Sequence, residues 1–387
     1  MSKFWLMNKN TKIALLTCVN DNVYIEEMYT DRLPYVINNI EQWLFSRFTI
    51  VGRNNLFTMA KIAGMSDREA FLKLSKAISV TDTLWVNDIE NETTWEQISP
   101  YSNRISRIIA DIAIDGIKLY KNQNLASPSP QYRIGGSIDK CIKRIDGTSG
   151  LFLFKTNGEL WQEVTKVRPY SEYFASQIIN KLDMNISNVN YNIIEKTTED
   201  GYVKPYSYCK IFTSEKYGLV EYCDSTYRNT TMQELLTILK RNKDSKNLKI
   251  LCDLLLVDSI ILNPDRHMGN FGFIINNDTF KIIQIAPIYD NDCSLGSLLS
   301  IQNKTFEQAY FEAKNNFLPK TGLGNYDEQA LMVMTKPWYN RLKTIGKISL
   351  HRGNAKSIST ERLNFMEYLV NRRIQEIVAL VEEHYNI

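Results

Sequence analysis

The sequence predicts an α+β chain in two parts. Three observations carry that reading. A short apolar run near the start, Ile13 to Val19, reads as a strand, and apolar residues recur at helical spacing later on. A polar segment with two Ser-Pro steps, Lys121 to Arg133, separates the two patterns and reads as an exposed linker. The 387 residues are too many for one compact core and too few for three, which suggests two domains or one large two-lobed domain.

Composition narrows the class. Hydrophobic residues are 44% and charged residues 23% of the chain, which excludes a largely disordered or collagen-like protein. Lys and Arg number 46 against 43 Asp and Glu, a formal net charge of +3. That balance gives no general electrostatic case for nucleic acid or an anionic membrane, so any basic site must be local. The six cysteines form no CxxC pair and only three histidines accompany them, which argues against structural zinc. Scattered cysteines in a long chain read as reduced cytosolic thiols. The apolar run Ile13 to Val19 is a strand rather than a signal peptide. No stretch approaches the length needed to cross a bilayer. A soluble, cytoplasmic bacterial protein is expected, or one delivered into a host cell if it is an effector.

The elements follow in order. Lys12 to Val19 and Asn22 to Tyr29 read as paired strands with a turn at Asn20–Asp21–Asn22. Leu56 to Ala63 reads as a helix ended by Gly64. Ser66 and Glu69 predict a capping box for a second helix to about Leu74. Past the linker, Gly135–Gly136–Ser137 is a glycine turn and Leu151 to Lys155 an apolar strand ending in lysine. Ser171 to Leu182 carries Phe174, Ala175, Ile178, Ile179 and Leu182 at helical spacing. Thr231 to Lys240 and Leu248 to Leu262 are two further helices, the second apolar nearly all round and so buried. Phe271 to Ile275 and Phe280 to Ile285 make a hairpin across Asn276–Asn277–Asp278. From Glu361, the residues Leu363, Met366, Val370, Ile374, Ile377 and Val381 mark a long amphipathic helix.

The chemistry concentrates in Asn263 to Gly272, NPDRHMGNFG, after the buried helix, and in PIYDND on the far side of the hairpin. An Asp, an Asn five residues on, and an Asp after a β-hairpin is the pattern of phosphotransferases. Asp265 would accept or orient the hydroxyl proton of the nucleophile, and Asn270 and Asp290 would hold Mg²⁺ on the phosphates of ATP. The hairpin carries the chain out and back, so its two ends converge. Upstream, the Gly135–Gly136–Ser137 turn offers backbone N–H groups to phosphate oxygens. Lys155 would neutralise the α- and β-phosphates, and Glu172 would pair with Lys155. Each piece alone has an ordinary reading: a turn, a solvated edge lysine, a helix-start acid. Their order along the chain is the specific signal.

DRHMGNFG resembles the HipA-like kinases, which share this region with phosphatidylinositol 3-/4-kinase-like enzymes. RIGGSIDKCIKRIDG, LFLFK, SEYFASQIINKL and PIYDND extend the resemblance over roughly residues 130 to 300. It implies a bilobed protein-kinase-like fold, with a small β-rich N-lobe over 134–222 and a mainly helical C-lobe over 223–387. An additional N-terminal α/β domain, 1–121, and a linker, 122–133, precede them. It further implies Asp265 as catalytic base, His267 near the γ-phosphate, Asn270 and Asp290 as Mg²⁺ ligands, and Lys155 on the phosphates of ATP. Ser137 matches a phosphate-loop serine that becomes autophosphorylated in such kinases, with loss of activity. The adenine edge is assigned to Ser207 to Phe212, which includes Tyr208 and Lys210. The implied function is transfer to Ser or Thr of a protein substrate, with an antitoxin or regulatory protein as partner, in a toxin–antitoxin, effector or defence system. The first 120 residues resemble, more loosely, the N-terminal region of HipA-like proteins from Gram-positive bacteria.

Two other readings stand beside this one. A lipid or small-molecule kinase could use the same scaffold. Aminoglycoside-kinase-like enzymes place the histidine before the catalytic aspartate, whereas His267 follows Asp265, and the basic stretch Lys240 to Lys249 reads as a solvated connection. A DNA-binding regulator could use the helices over 56–77. Its recognition helix would open on Ser66–Asp67–Arg68–Glu69, with two acids at the end that meets DNA.

Overall fold

In the computed structural model, residues 2–31, 33–37, 39–48, 64, 67–116, 128–133, 138–157, 166–199 and 201–386 are described. The chain divides into two compact units. One comprises Met1–Gly158, Lys210–Val220 and Ile274–Ile283, and the other Glu159–Cys209, Glu221–Phe273 and Gln284–Ile387.

The first unit opens on an antiparallel sheet of β1 (Ser2–Asn8), β2 (Thr11–Val19), β3 (Asn22–Met28) and β4 (Leu84–Asp88), ordered β3-β2-β1-β4. Asn20 and Asp21 link β2 to β3 with φ of 50° and 63°, the left-handed backbone that two-residue hairpin turns require and that Asn and Asp tolerate. Helices α1 (Ile40–Phe48), α2 (Arg68–Ser75), α3 (Trp95–Ile98) and α4 (Arg107–Asp115) complete the described N-terminal part. Met7, Ile78, Trp85, Trp95 and Ile98 form one of its apolar clusters.

Two expectations change here. The cap of α2 is Asp67, whose Oδ1 accepts from the Ala70 N–H at 2.8 Å, while Ser66, expected in that role, lies outside the described residues. Glu69, expected to close a capping box, instead accepts from the Ser2 hydroxyl and pairs with Lys73 at 3.0 Å. The helix expected over 56–63 lies outside the described residues, and with it the first half of the candidate DNA-reading pair. The end of the expected linker is also not exposed. Gln131 is fully buried in the short turn Pro130–Arg133, and its side-chain amide donates to the Ile142 carbonyl (2.6 Å) and accepts from the Ile142 N–H (2.8 Å). Strands β5 (Asp139–Lys143) and β6 (Phe152–Thr156) pair antiparallel, with Lys155 opposite Lys140.

The second unit begins with α5 (Arg168–Leu182), which buries Phe174, Ala175, Ile178, Ile179 and Leu182 as the spacing predicts. Strands β7 (Tyr191–Thr197) and β8 (Val203–Lys210) form a hairpin, and β9 (Tyr217–Glu221), which belongs to the first unit up to Val220, follows along the chain. Thr231 and Glu234 make a reciprocal capping box for α6 (Met232–Arg241). Helix α7 (Ser245–Ile261) is buried almost all round beyond its first turns. Its last turn delivers the chain into NPDRHMGN through Leu262, which caps it at φ 49°. Strands β10 (Gly272–Asn276) and β11 (Ile282–Ile285) make the expected hairpin, with β9 beside β10. The return strand starts two residues late because Phe280, at φ 55°, still belongs to the turn. Helices α8 (Phe306–Asn315), α9 (Tyr326–Val333), α10 (Lys336–Thr344) and α11 (Thr360–Tyr385) follow. The six apolar positions predicted for α11 are all buried. Among the described residues no helix is long and apolar enough to cross a membrane.

Candidate functional site

The site is built downward from the end of α7. Asn263 is fully buried, and its amide does two things. Its Nδ2 donates to Asp258 Oδ1 at 3.0 Å, anchoring it to the helix, and its Oδ1 accepts from the Asp265 N–H at 3.2 Å. Asp265 is thereby held by its own backbone just past the helix end. Its carboxylate is a quarter exposed, at 25%. Oδ1 lies 2.6 Å from Lys320 Nζ. Oδ2 faces Asn270 Nδ2 at 3.4 Å, Cys293 Sγ at 3.8 Å and His267 Nε2 at 4.0 Å.

Asn270 donates its amide N–H to the Asp265 carbonyl at 2.8 Å. The nitrogen being engaged there, the side-chain oxygen is the atom left to face a cation. His267 accepts the Gly269 N–H on Nδ1 at 3.0 Å. In the neutral ring this places the proton on Nε2, the nitrogen turned toward Asp265.

Arg266 sits between these two residues and is buried. Nε and Nη2 bind Asp258 at 2.8 and 3.0 Å, Nη1 binds the Asn270 carbonyl at 2.5 Å and the Tyr289 carbonyl at 2.6 Å, and Nη2 also binds Asn291 Oδ1 at 2.7 Å. Burial alone would weaken its charge, but the Asp258 carboxylate outweighs burial and raises the pKa. One guanidinium nitrogen therefore gathers the backbone of Asn270 and that of the residue before Asp290. Arg266 thus clasps the backbone at the two ends of the hairpin.

Asp290 adopts φ 59°, left-handed for a residue that is not glycine, which is costly unless its surroundings enforce it. The Tyr289 carbonyl on Arg266 does so on one side, and on the other the Asp290 N–H meets Tyr191 Oη at 3.4 Å. The Asp290 carboxylate acts on both Arg168 and Arg266, helping to keep them charged. Two residues on, buried Asp292 forms an ion pair with Arg168 of α5 at 2.8 Å. Ser171 of α5 donates to the Ser294 carbonyl at 2.7 Å. These contacts dock the Asp290 segment onto the helix that carries Glu172.

Glu172 is fully buried and accepts from the Ser207 hydroxyl of β8 at 2.7 Å. Lys155 is 3% exposed on β6, so the ordinary reading of a solvated edge lysine does not hold. Tyr208 is half-buried on β8, while Lys210 is exposed at its end and lies across Gly150. Gly135, Gly136 and Ser137 lie outside the described residues.

Asp265, Asn270 and Asp290 each offer side-chain oxygens, and oxygen ligands suit Mg²⁺ better than a softer metal. Sequence reasoning gave no role to Asp258 or Lys320, nor to Asn263, Arg266 and Asn291 within the motifs it singled out. Asp258 had a signal, since an acid in an otherwise apolar helix needs a partner.

Residues 132–338 match the family model of the HipA-like C-terminal domain, and the chain belongs to that family. It is 26% identical over 133 residues to serine/threonine-protein kinase CtkA of Helicobacter pylori strain J99. That alignment covers 31% of this chain and 38% of CtkA, so it spans well under half of that kinase's length. The crystal structure of the Helicobacter pylori proinflammatory kinase CtkA aligns over 65% of this chain and 92% of its own at 20% identity, with a TM-score of 0.49. A chain of the Shewanella oneidensis MR-1 toxin–antitoxin complex of HipA, HipB and operator DNA aligns over 99% of both chains at 10% identity, with a TM-score of 0.52. The likeness to the Shewanella chain is one of mixed α/β fold.

Proposed function

We propose that this chain is an ATP- and Mg²⁺-dependent kinase that phosphorylates Ser or Thr of a protein. The observation that carries the reading is the clasp at Arg266, which brings the Asn270 and Tyr289–Asp290 backbones to one nitrogen beside Asp265. Asp265 orients the substrate hydroxyl and takes its proton. Asn270, through its side-chain oxygen, and Asp290, through its carboxylate, would hold Mg²⁺. When bound there, Mg²⁺ neutralises the β- and γ-phosphate oxygens. His267 is assigned to the γ-phosphate, and the Gly135–Gly136–Ser137 turn and Lys155 to the remaining phosphates. Glu172 is assigned to pair with Lys155, and the adenine edge is assigned to Ser207 to Phe212 with Tyr208 and Lys210.

The reading includes a β-rich N-lobe over 134–222, a mainly helical C-lobe over 223–387, and an accessory domain over 1–121. It also includes modification of Ser137 by the enzyme itself and a regulatory protein partner of antitoxin type, in a bacterial cytoplasm or a host cell. Family membership supports the activity, and the HipB partner in the Shewanella complex supports the partner class.

Phosphoproteomics of cells expressing wild type or Asp265→Asn tests the reading. Wild type should raise a defined set of phosphoserine or phosphothreonine sites that the variant leaves unchanged. Identical phosphoproteomes, with a phosphorylated lipid or small molecule appearing in wild type alone, would replace the protein substrate by the alternative one.

A further inference from the structure

We propose that Lys320 is a second cation of the transfer site, one that fixes the Asp265 carboxylate and lies against the γ-phosphoryl group in transit. The proposal rests on the kinase reading above and deepens it, since Lys320 belongs to none of the motifs that suggested a kinase.

Lys320 comes 55 residues after Asp265, and its Nζ stands 2.6 Å from Asp265 Oδ1. A lysine whose side chain is 59% exposed ordinarily makes a loose surface pair. This one is mounted. The Lys320 N–H donates to the Pro264 carbonyl at 3.1 Å, so its backbone is tied to the residue before Asp265. The next residue, Thr321, is buried and donates its hydroxyl to Gln329 Oε1 at 2.5 Å. Gln329 is fully buried and donates to the Leu255 carbonyl at 2.8 Å and Ser259 Oγ at 3.0 Å. Leu255 and Ser259 lie on α7, the helix that delivers Asp265. Both ends of the ion pair thus hang from one rigid element, as preorganised catalysis requires.

The two carboxylate oxygens also have separate surroundings. Oδ1 meets Lys320, while Oδ2 faces Asn270, Cys293 and His267. Lys320 is also the most exposed of these neighbours. It therefore stands on the solvent side of Asp265, from which a protein hydroxyl arrives.

In the transfer, the substrate oxygen bonds to phosphorus. The bond from phosphorus to the β–γ bridging oxygen breaks, and its electron pair leaves on ADP. The hydroxyl proton passes to Asp265. Lys320 keeps its proton and offers N–H groups to the phosphoryl oxygens, where charge is spread in the transition state.

The test uses the full chain and an acyl-phosphate derivative of ATP with Mg²⁺. A lysine beside the phosphates attacks the acyl carbonyl, forms an amide and releases ATP. Peptide mass spectrometry should find Lys320 acylated, and excess Mg-ATP should suppress that label at least about tenfold. ATP-protected label on Lys155 with none on Lys320 overturns the proposal and leaves the kinase reading standing. No ATP-protected lysine anywhere overturns both. Kinetics give an independent readout. Lys320→Met should lower kcat about a hundredfold with KM for ATP within about twofold, and Lys320→Arg should recover much of the loss. A Lys320→Met enzyme with wild-type kcat also overturns it.

Discussion

Arg266 and Asp258 form a two-point ion pair in the interior, Nε to Oδ2 at 2.8 Å and Nη2 to Oδ1 at 3.0 Å, with neither side chain reaching solvent. Both charges are committed, and the remaining Arg266 donors hold the Asn270 and Tyr289 carbonyls. Removing one partner strands the other. Arg266→Met should lower unfolding free energy by about 3–5 kcal/mol in urea titration. The double variant Arg266→Met with Asp258→Leu should recover much of that stability yet transfer no phosphate, because nothing then gathers the two segments. An Arg266→Met chain with the wild-type urea midpoint would contradict the clasp.

A second charged cluster sets acid stability. Asp327 and Glu376 flank Arg373 at 2.5 and 2.9 Å, and Lys314 reaches both. Burial pushes both carboxyls up, but Arg373, Lys314 and, for Glu376, the Tyr310 hydroxyl prevail and hold them below their ordinary values. A depressed folded-state value means stability that is present above the unfolded value and lost as pH falls through the folded one. Asp327→Asn should therefore be less stable than wild type at pH 7. Melting temperatures of the two chains should converge below about pH 4. A constant gap down to pH 2.5, a value chosen about one unit below ordinary carboxyl titration, would contradict it.

Cys223 is exposed, yet partial desolvation of its sulfur, then Glu221 and Asp224, push its thiol up to about 12. Roughly a thousandfold less thiolate than at an unperturbed site follows at pH 8. Iodoacetamide should modify Cys223 slowly, and Glu221→Gln should speed the reaction. Rapid alkylation of the wild-type residue at pH 8 would contradict this.

The proposed function assigns Ser137 to a phosphate loop, where a phosphate would compete with ATP. Incubation with Mg-ATP followed by mass spectrometry should find Ser137 modified in wild type and unmodified in Asp265→Asn. An active enzyme with clean Ser137 would remove self-modification from the proposal.

Parts of this molecule were legible in the sequence for local reasons. The turn at Asn20–Asp21, the box at Thr231 and Glu234, and the buried stripe of α11 each depend on residues a few positions apart. DRHMGN singled out Asp265, His267 and Asn270, which do come together in space because they lie within six residues. What stayed hidden depends on distance along the chain. β1 and β4 became strands by pairing with each other across more than 70 residues. Asp67 caps α2 although Ser66 beside it has an equally good capping side chain, because local pattern does not choose between such neighbours. Gln131 looked like linker until Ile142 took both ends of its amide. Lys320 carried no signal, since a lysine in FLPKTG reads as surface until the fold brings it to Asp265.

The most direct test of the central claim is transfer of labelled γ-phosphate by the purified full chain with Mg-ATP, comparing wild type with Asp265→Asn. The account predicts incorporation by wild type and loss of at least about a thousandfold in the variant, with melting temperature within a few degrees. Wild-type incorporation by Asp265→Asn would contradict it.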